Sequence, residues 1–392
     1  MGAQGLFGEA VDRIGGEPIS ARMARKAPIR HLDPTLLLAT LVASAFGAVM
    51  IFSATASKQE AEGLDPAFFL KRQVIYMIVG AVGLLIVSFF DYRYLRGLTP
   101  VVYSGAVLLL VLVITPLGSE QNGAQSWFDF GTFQMQPSEF AKLATIVALA
   151  AFLGERKGEV GALEVAVACA LTGVPSLLIL FQPDLGSMLV YLAILLGVLL
   201  VAGGKVRHFL SLALLGVVAV FIVLQAGLLE QYQIDRITSF MNPNPNVTEE
   251  GYNQLQSKTA IANGGFRGKG LRERNTQTSL DFVPEQQTDF IFTAVGEQLG
   301  FVGSAALLAL FAVLLWRAIR IAAMSRDLFG TLIAAGIAVM WMFQIFINIG
   351  MTMGIMPITG LPLPFISFGG SSLITNFVAV GMLLNIHMRR YL

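Results

Sequence analysis

The chain has 392 residues, 55% of them hydrophobic and 13% charged, with a formal net charge of +1. A soluble domain carries about 25% charged residues, so a water-soluble globule is excluded, and a near-neutral chain offers no field for a nucleic-acid partner. One cysteine, Cys169, cannot form an intramolecular disulfide, and the histidines His31, His208 and His387 lack metal-ligand spacing.

Residues 1–33 are polar, hold five Lys or Arg and have no apolar core, so they read as a cytoplasmic tail and not as a cleavable signal peptide. Behind them the apolar residues fall in blocks long enough, as helices, to cross a ~30 Å hydrocarbon core. Ten blocks run roughly over 34–54, 72–90, 98–117, 138–154, 163–181, 186–202, 206–229, 290–318, 328–352 and 371–388. Helices are expected because a backbone in lipid must pair its amides within its own segment, whereas barrel strands would be ~10 residues long and alternating. The expected fold is an all-α integral membrane protein, one polytopic domain over 34–390 with about ten transmembrane helices. A polar loop, 118–137, parts the third and fourth blocks, and a long, partly helical loop, 230–289, parts the seventh and eighth.

Ten spans put both ends of the domain on one side. Lys and Arg crowd that side: Arg13, Arg22, Arg25, Lys26 and Arg30, then Arg93, Arg96, Arg156, Lys157, Lys205, Arg207, Arg317, Arg320, Arg326, Arg389 and Arg390. The other side has Lys58, Lys71 and Arg72 in its first loop and no Lys or Arg in 118–137, 182–185 or 353–370. The positive-inside rule makes the crowded side cytoplasmic, and long loops translocate regardless of charge, so loop 230–289 is expected outside. The unusual polar residues gather there. With no Walker-type loop or dinucleotide fingerprint in the sequence, ATP-independent work at the outer leaflet is expected.

Gln136 to Lys142 opens the fourth span, with Pro137 and Ser138 suited to a helix start. Glu139 and Lys142, three apart, share a helix face. They form either an ion pair anchoring the helix end or part of the wall of an external cavity. Asp184, in the tight turn Gln182-Pro183-Asp184-Leu185-Gly186, either caps the sixth helix or faces a polar pocket. In the long loop, Thr248 to Ala262 reads as a helix ended by Asn263-Gly264-Gly265. Its face of Tyr252, Leu255, Thr259 and Ala262 suits a membrane surface. The run Phe266-Arg267-Gly268-Lys269-Gly270 mixes glycines and cations, which either approach a phosphate closely or form a solvated loop.

Asp289 marks the junction of loop and eighth span, where it either caps the helix or opens on a cavity. Glu297 lies inside that span, a position that reads as functional, while Gly296, Gly300 and Gly303 around it indicate close helix packing. Three prolines within 357–364 exclude a regular helix, so Gly354 to Pro364 is expected to be buried in protein or to line a cavity. Gly369-Gly370-Ser371-Ser372 starts the tenth helix, either as a plain cap or as a seat for an anion such as pyrophosphate.

Together these stretches resemble the SEDS family, proteins of shape, elongation, division and sporulation, over about residues 34–390. Five motifs stand in the family's order: Gln136–Leu143, Gln182–Gly186, Tyr252–Gly270, Pro284–Gly300 and Gly354–Ser372. The Gly354–Pro364 run, Gln256-Ser257-Lys258 and Gly264-Gly265 look like the elongation, RodA-type branch. The resemblance implies a peptidoglycan glycosyltransferase that polymerises lipid II, a disaccharide-pentapeptide on undecaprenyl pyrophosphate, in the bacterial inner membrane. Its implied partner is a class B penicillin-binding protein, which supplies the transpeptidase. The family's essential loop aspartate falls on Asp289, its fourth-span acid and base on Glu139 and Lys142, and its loop tryptophan on Trp127. Gln298 stands where many members have Glu, and Phe368 where Tyr is common, so neither is expected to carry chemistry.

Asp289 is therefore the candidate catalytic base. Trp127, Glu139, Lys142, Asp184, Lys258, Arg267, Lys269, Ser371 and Ser372 are candidate substrate contacts. The residues fix no cofactor; a bound divalent cation is one candidate, beside Lys142, Arg267, Lys269 and helix amides, for stabilising the departing pyrophosphate. Two rival readings are a lipid II flippase and a scaffold that only recruits the penicillin-binding protein. Transporters usually place ionisable groups near the midplane, whereas these motifs cluster at the outer edge.

Overall fold

The structure, a computed structural model, describes residues 31–121, 124–131, 133–155, 160–225, 249–273, 276–278, 280, 282 and 285–390. Residues 1–30 of the expected tail and 226–248 of the expected long loop lie outside the described residues. The helices are α1 (Pro34–Ala61), α2 (Phe68–Phe89), α3 (Tyr92–Ile114), α4 (Pro137–Gly154), α5 (Ala162–Leu180), α6 (Leu185–Val201), α7 (Val206–Gln225), α8 (Glu249–Gly264), α9 (Ile291–Met324), α10 (Leu328–Thr352) and α11 (Gly370–Met388). Eight of them are long and apolar enough to cross a membrane, and α6 and α7 carry shorter apolar runs. The ten expected spans are these ten helices; α8 belongs to the loop. The protein is a multi-pass membrane protein.

Aspartates start four of the spans. Asp33, Asp91, Asp184 and Asp327 each accept a backbone N–H from the first turn of α1, α3, α6 and α10, satisfying an amide that has no intrahelical partner. Pro34 follows Asp33 at the first helical position, where its missing N–H costs nothing.

The helices sort into an inner and an outer set. Of the apolar stretch of α11, 89% is buried, against 11% for α3. A helix apolar on every side and this exposed faces lipid. Inside, polar side chains tie the helices together: Trp341 Nε1 donates to Asn376 Oδ1 at 2.7 Å, joining α10 to α11. Asp33 and Arg317 form a buried ion pair at one end of the α1–α9 contact (Nε to Oδ2, 2.8 Å), and Ser53 Oγ donates to Gln298 Oε1 at 2.6 Å at the other.

Two features depart from the expected all-helical plan. Loop 118–137 folds as a small antiparallel meander of β1 (Ser119–Gln121), β2 (Ala124–Asp129) and β3 (Gln134–Met135), pairing Ser119 with Trp127 and Phe128 with Met135. In addition, α9 breaks at Gly300, whose backbone (φ 65°, ψ −158°) is not helical and is open chiefly to glycine. Residues 265–270 fill the break. Phe301 and Val302 donate to the carbonyls of Gly265 and Phe266 at 2.9 and 3.2 Å, and Lys269 and Gly270 donate to those of Glu297 and Gln298 at 3.0 and 2.9 Å. Loop backbone thus replaces the helix bonds lost at the kink.

Helix α8 is described from Glu249 onward, and its packed face is not the expected one. Gly251, Gln254, Ser257, Ala260 and Gly264 are buried, while Leu255 and Ala262 are exposed. These small residues let α8 lie close on α9, where Ser257 Oγ meets Thr293 Oγ1 at 2.6 Å. The apolar character of the other face is too slight to decide the packing.

A candidate active site at the loop end of the bundle

A cavity of about 460 Å³ opens where the loops and helix starts of one end of the bundle converge, within the ~300–1,000 Å³ range of single-ligand sites. Its walls come from the first turns of α2, the β2–β3 meander, Gln136, the 183–184 turn, the 285–289 turn and the 359–372 segment. By chain connectivity all of these lie on the same side of the membrane.

Asp289 lines this cavity. It ends a tight turn in which the Glu285 carbonyl accepts the amides of Thr288 and Asp289 at 3.1 and 3.2 Å. Glu285 itself has φ 49°, uncommon for a residue with a Cβ. Asp289 does not cap α9: Phe290 holds the N-cap position without a side-chain hydrogen bond. Two ties hold the turn against the proline-rich segment. Phe368 N donates to the Gln287 carbonyl at 2.8 Å. Asn348, buried in α10, donates through Nδ2 to the carbonyls of both Asp289 and Leu361, at 2.8 and 2.7 Å. The carboxylate comes alongside Gly360, where a Cβ would sit 3.4 Å from Asp289 Oδ2.

Three more of the expected residues share the cavity. Trp127, presented by β2, and Ser372, in the first turn of α11, both line it. Asp184 does both things read from its sequence: Oδ1 caps α6 by accepting Ser187 N at 2.9 Å, while Oδ2 accepts Gln136 Nε2 at 3.3 Å on the cavity wall. One wall is aromatic, with Phe368 edge-on to Phe69 (5.1 Å) and tilted against Tyr76 (6.0 Å).

The others lie elsewhere. Glu139 and Lys142 are sealed inside the bundle, 2% and 0% exposed, as an ion pair with Nζ 2.7 Å from Oε1. Ser371 is buried and used as a brace: its Oγ accepts Gln136 N at 2.9 Å and donates to the Gln134 carbonyl at 3.3 Å. The Lys258 side chain packs over Gly354. Arg267 and Lys269 belong to the segment that fills the α9 break. Glu297 is fully buried and accepts three hydrogen bonds, from Gln277 N, Thr278 N and Thr278 Oγ1 at 2.8, 2.8 and 2.5 Å.

Sequence reading passed over Arg72, Glu285 and Asn348. Arg72 is the sole Lys or Arg among the described residues lining the cavity. The apolar block starts at 72, but α2 starts at Phe68, which lifts Arg72 into the helix, its guanidinium 4.5 Å from the Phe68 ring centroid. Asn348 carried a signal, an amide amid an apolar span. Asp184, Glu285 and Asp289 all line the cavity, yet among the described residues no three His, Cys, Asp or Glu side chains converge to hold a metal ion.

Fold and cavity define a polytopic membrane protein with an acid-bearing site at one end of its helix bundle. Residues 34–392 match the FtsW/RodA/SpoVE family of cell cycle proteins, and the chain belongs to that family. It is 40% identical to stage V sporulation protein E of Bacillus subtilis over 358 residues, covering 90% of this chain and 96% of that one. It is 37% identical to peptidoglycan glycosyltransferase MrdB of Escherichia coli over 360 residues, 92% and 94% of the two chains. Among solved structures it resembles a chain of a peptidoglycan synthase complex that coordinates polymerization and crosslinking (TM-score 0.78, 32% identity, 92% and 98% coverage). It also resembles the rod shape determining protein RodA of Thermus thermophilus (TM-score 0.68, 32% identity, 92% and 98% coverage).

Proposed function

We infer that this protein is a peptidoglycan glycosyltransferase that polymerises lipid II at the outer leaflet of the bacterial inner membrane. The observation that carries the reading is the placement of Asp289 beside Trp127, Asp184, Ser372 and Arg72 in one cavity at the loop end of the bundle. Relatives named for this activity match along almost the whole chain. The Lys and Arg count puts the cavity end outside and both ends of the domain in the cytoplasm. The Gly354–Pro364 run favours the elongation branch, and the likeness to a synthase complex favours a class B penicillin-binding protein as partner.

In the reaction, the 4-hydroxyl oxygen of one lipid II attacks C1 of another. The bond from C1 to the pyrophosphate oxygen breaks, and undecaprenyl pyrophosphate leaves. The leaving group needs no proton, so one base suffices, unlike the two carboxylates of glycoside hydrolysis. The Asp289 carboxylate takes the hydroxyl proton as the new bond forms. Charge grows on the departing diphosphate, and Arg72, the cation placed on the cavity wall, stabilises it. Lys142, sealed in its ion pair, instead fixes the start of α4 beneath Gln136.

Purified protein in lipid vesicles, with and without its partner, should lengthen lipid II into glycan chains visible on a gel. Asp289→Asn should lower the rate by at least ~100-fold, the scale of a lost general base. Polymer at the parent rate would remove Asp289 from the chemistry. Transbilayer movement of lipid II without new glycosidic bonds would favour the flippase.

A further inference from the structure

The glycine-and-cation run 266–270 stands apart from the cavity, and its backbone is spent on bridging the break in α9. The Arg267 side chain is left exposed at the mouth of that break, and it forms no ion pair among the described residues. It lines a shallow recess with Leu299, Val302 and Gly303. Leu299 and Gly303 also begin the wall of a groove of about 560 Å³ between α1 and α9, which continues past Val42, Phe46, Ala306 and Leu310. Every described residue lining that groove is apolar or glycine.

The groove's shape follows from the sequence. Val42 and Phe46, four apart, share one face of α1. Gly303, Ala306 and Ala309 keep the facing wall of α9 low. The Ser53–Gln298 bond and the Asp33–Arg317 pair close the α1–α9 contact above and below, so the space between is a slot with fixed ends. From Gly303 to Val313 its helical wall runs about 15 Å at 1.5 Å per residue, the depth of one leaflet of a ~30 Å core. After the break, Phe301–Met324 is long enough to cross a ~30 Å core by itself, a placement that would set Arg267 at headgroup level.

We propose that this slot binds one anionic phospholipid, with an acyl chain along the groove and its phosphodiester on Arg267. A long apolar channel ending in one exposed guanidinium complements a molecule with a long apolar tail and one fixed anionic head. A free phosphate would leave the channel empty of partner atoms, which forfeits dispersion contacts. A second transmembrane helix would have to carry an acidic side chain at that one height to pair with Arg267, whereas every anionic phospholipid brings its phosphodiester there. The proposal is independent of the glycosyltransferase reading.

Native mass spectrometry of the full chain, released from an uncharged detergent, tests it. Phosphatidylglycerol and phosphatidylcholine of identical chains are added in turn, with inorganic phosphate as a third arm. One phosphatidylglycerol should be retained at about a tenfold lower concentration than phosphatidylcholine, and phosphate should not displace it. Arg267→Gln should abolish the preference, and Ala306→Leu, which fills the groove, should weaken both lipids. Should Ala306→Leu not fold, Val42→Phe fills the slot from α1. Equal retention of the two lipids by the parent, or a preference that survives Arg267→Gln, would overturn the proposal. So would a photo-crosslinker at Ala306 that captures a protein segment instead of lipid.

Discussion

Asp289 and Glu297 are two carboxylates at the start of one helix, and the protein treats them in opposite ways. Asp289 opens on a cavity, in a turn held by backbone bonds and by the Asn348 amide. Glu297 is sealed in and accepts three short hydrogen bonds from Gln277 and Thr278. A buried carboxylate with its oxygens engaged by that many donors has no room to take a proton from a substrate. The difference separates an acid kept for chemistry from an acid kept for architecture. The same division runs through the basic residues: Arg72 lines the cavity, whereas Lys142 is committed to Glu139.

Substitutions can break or sharpen this contrast. The largest effect is expected at Asp289, where replacement by Asn removes polymer formation while thermal unfolding in detergent stays within a degree or two of the parent. A large loss of melting temperature would move Asp289 to the structural side. Lys142→Met should do the reverse, destabilising by roughly 3–5 kcal/mol because it strands the Glu139 carboxylate in the bundle. Pairing it with Glu139→Gln should recover most of that loss, and no recovery would mean that the pair is not the source of the effect. Glu297→Leu leaves three donors without an acceptor and should cost about 3 kcal/mol, measured by denaturation. The molecules that remain folded should keep the pH dependence of the parent, and a shifted profile would give Glu297 a share in the proton transfer. Asn348→Leu is expected to be milder, about 1–2 kcal/mol for two lost bonds to carbonyls. Since both carbonyls flank the cavity, kcat/KM should fall by more than the melting temperature suggests. Ser371→Ala, which removes one brace from Gln136 N, should cost about 1 kcal/mol and leave turnover near the parent value.

Much of the fold was legible because hydropathy in a membrane protein is nearly a direct reading of the spans: each of the ten apolar blocks is a helix, and most ends lie within a few residues. The β meander was not, because its strands are two to six residues long and their alternation is too short to register. The packed face of α8 was misjudged because it is made of Gly, Ser and Ala, which carry little hydrophobic signal yet permit the closest approach. At the site, motif order led to Asp289, Asp184 and Ser372, and the family's loop tryptophan led to Trp127. Cations set among glycines drew attention to Arg267 and Lys269, whose local role is set by a helix break at Gly300, far along the chain. Arg72 and Asn348 gained significance only through neighbours that are distant in sequence.

The break at Gly300 also bears on how the chain is assembled. Residues 264–270 are synthesised before α9, so the backbone groups that complete its broken turn already exist when the span is made. Phe301 and Val302 can then trade water for the carbonyls of Gly265 and Phe266 directly. A chain whose loop was shortened there would leave those two amides, and the carbonyls of Glu297 and Gln298, without the partners they have here.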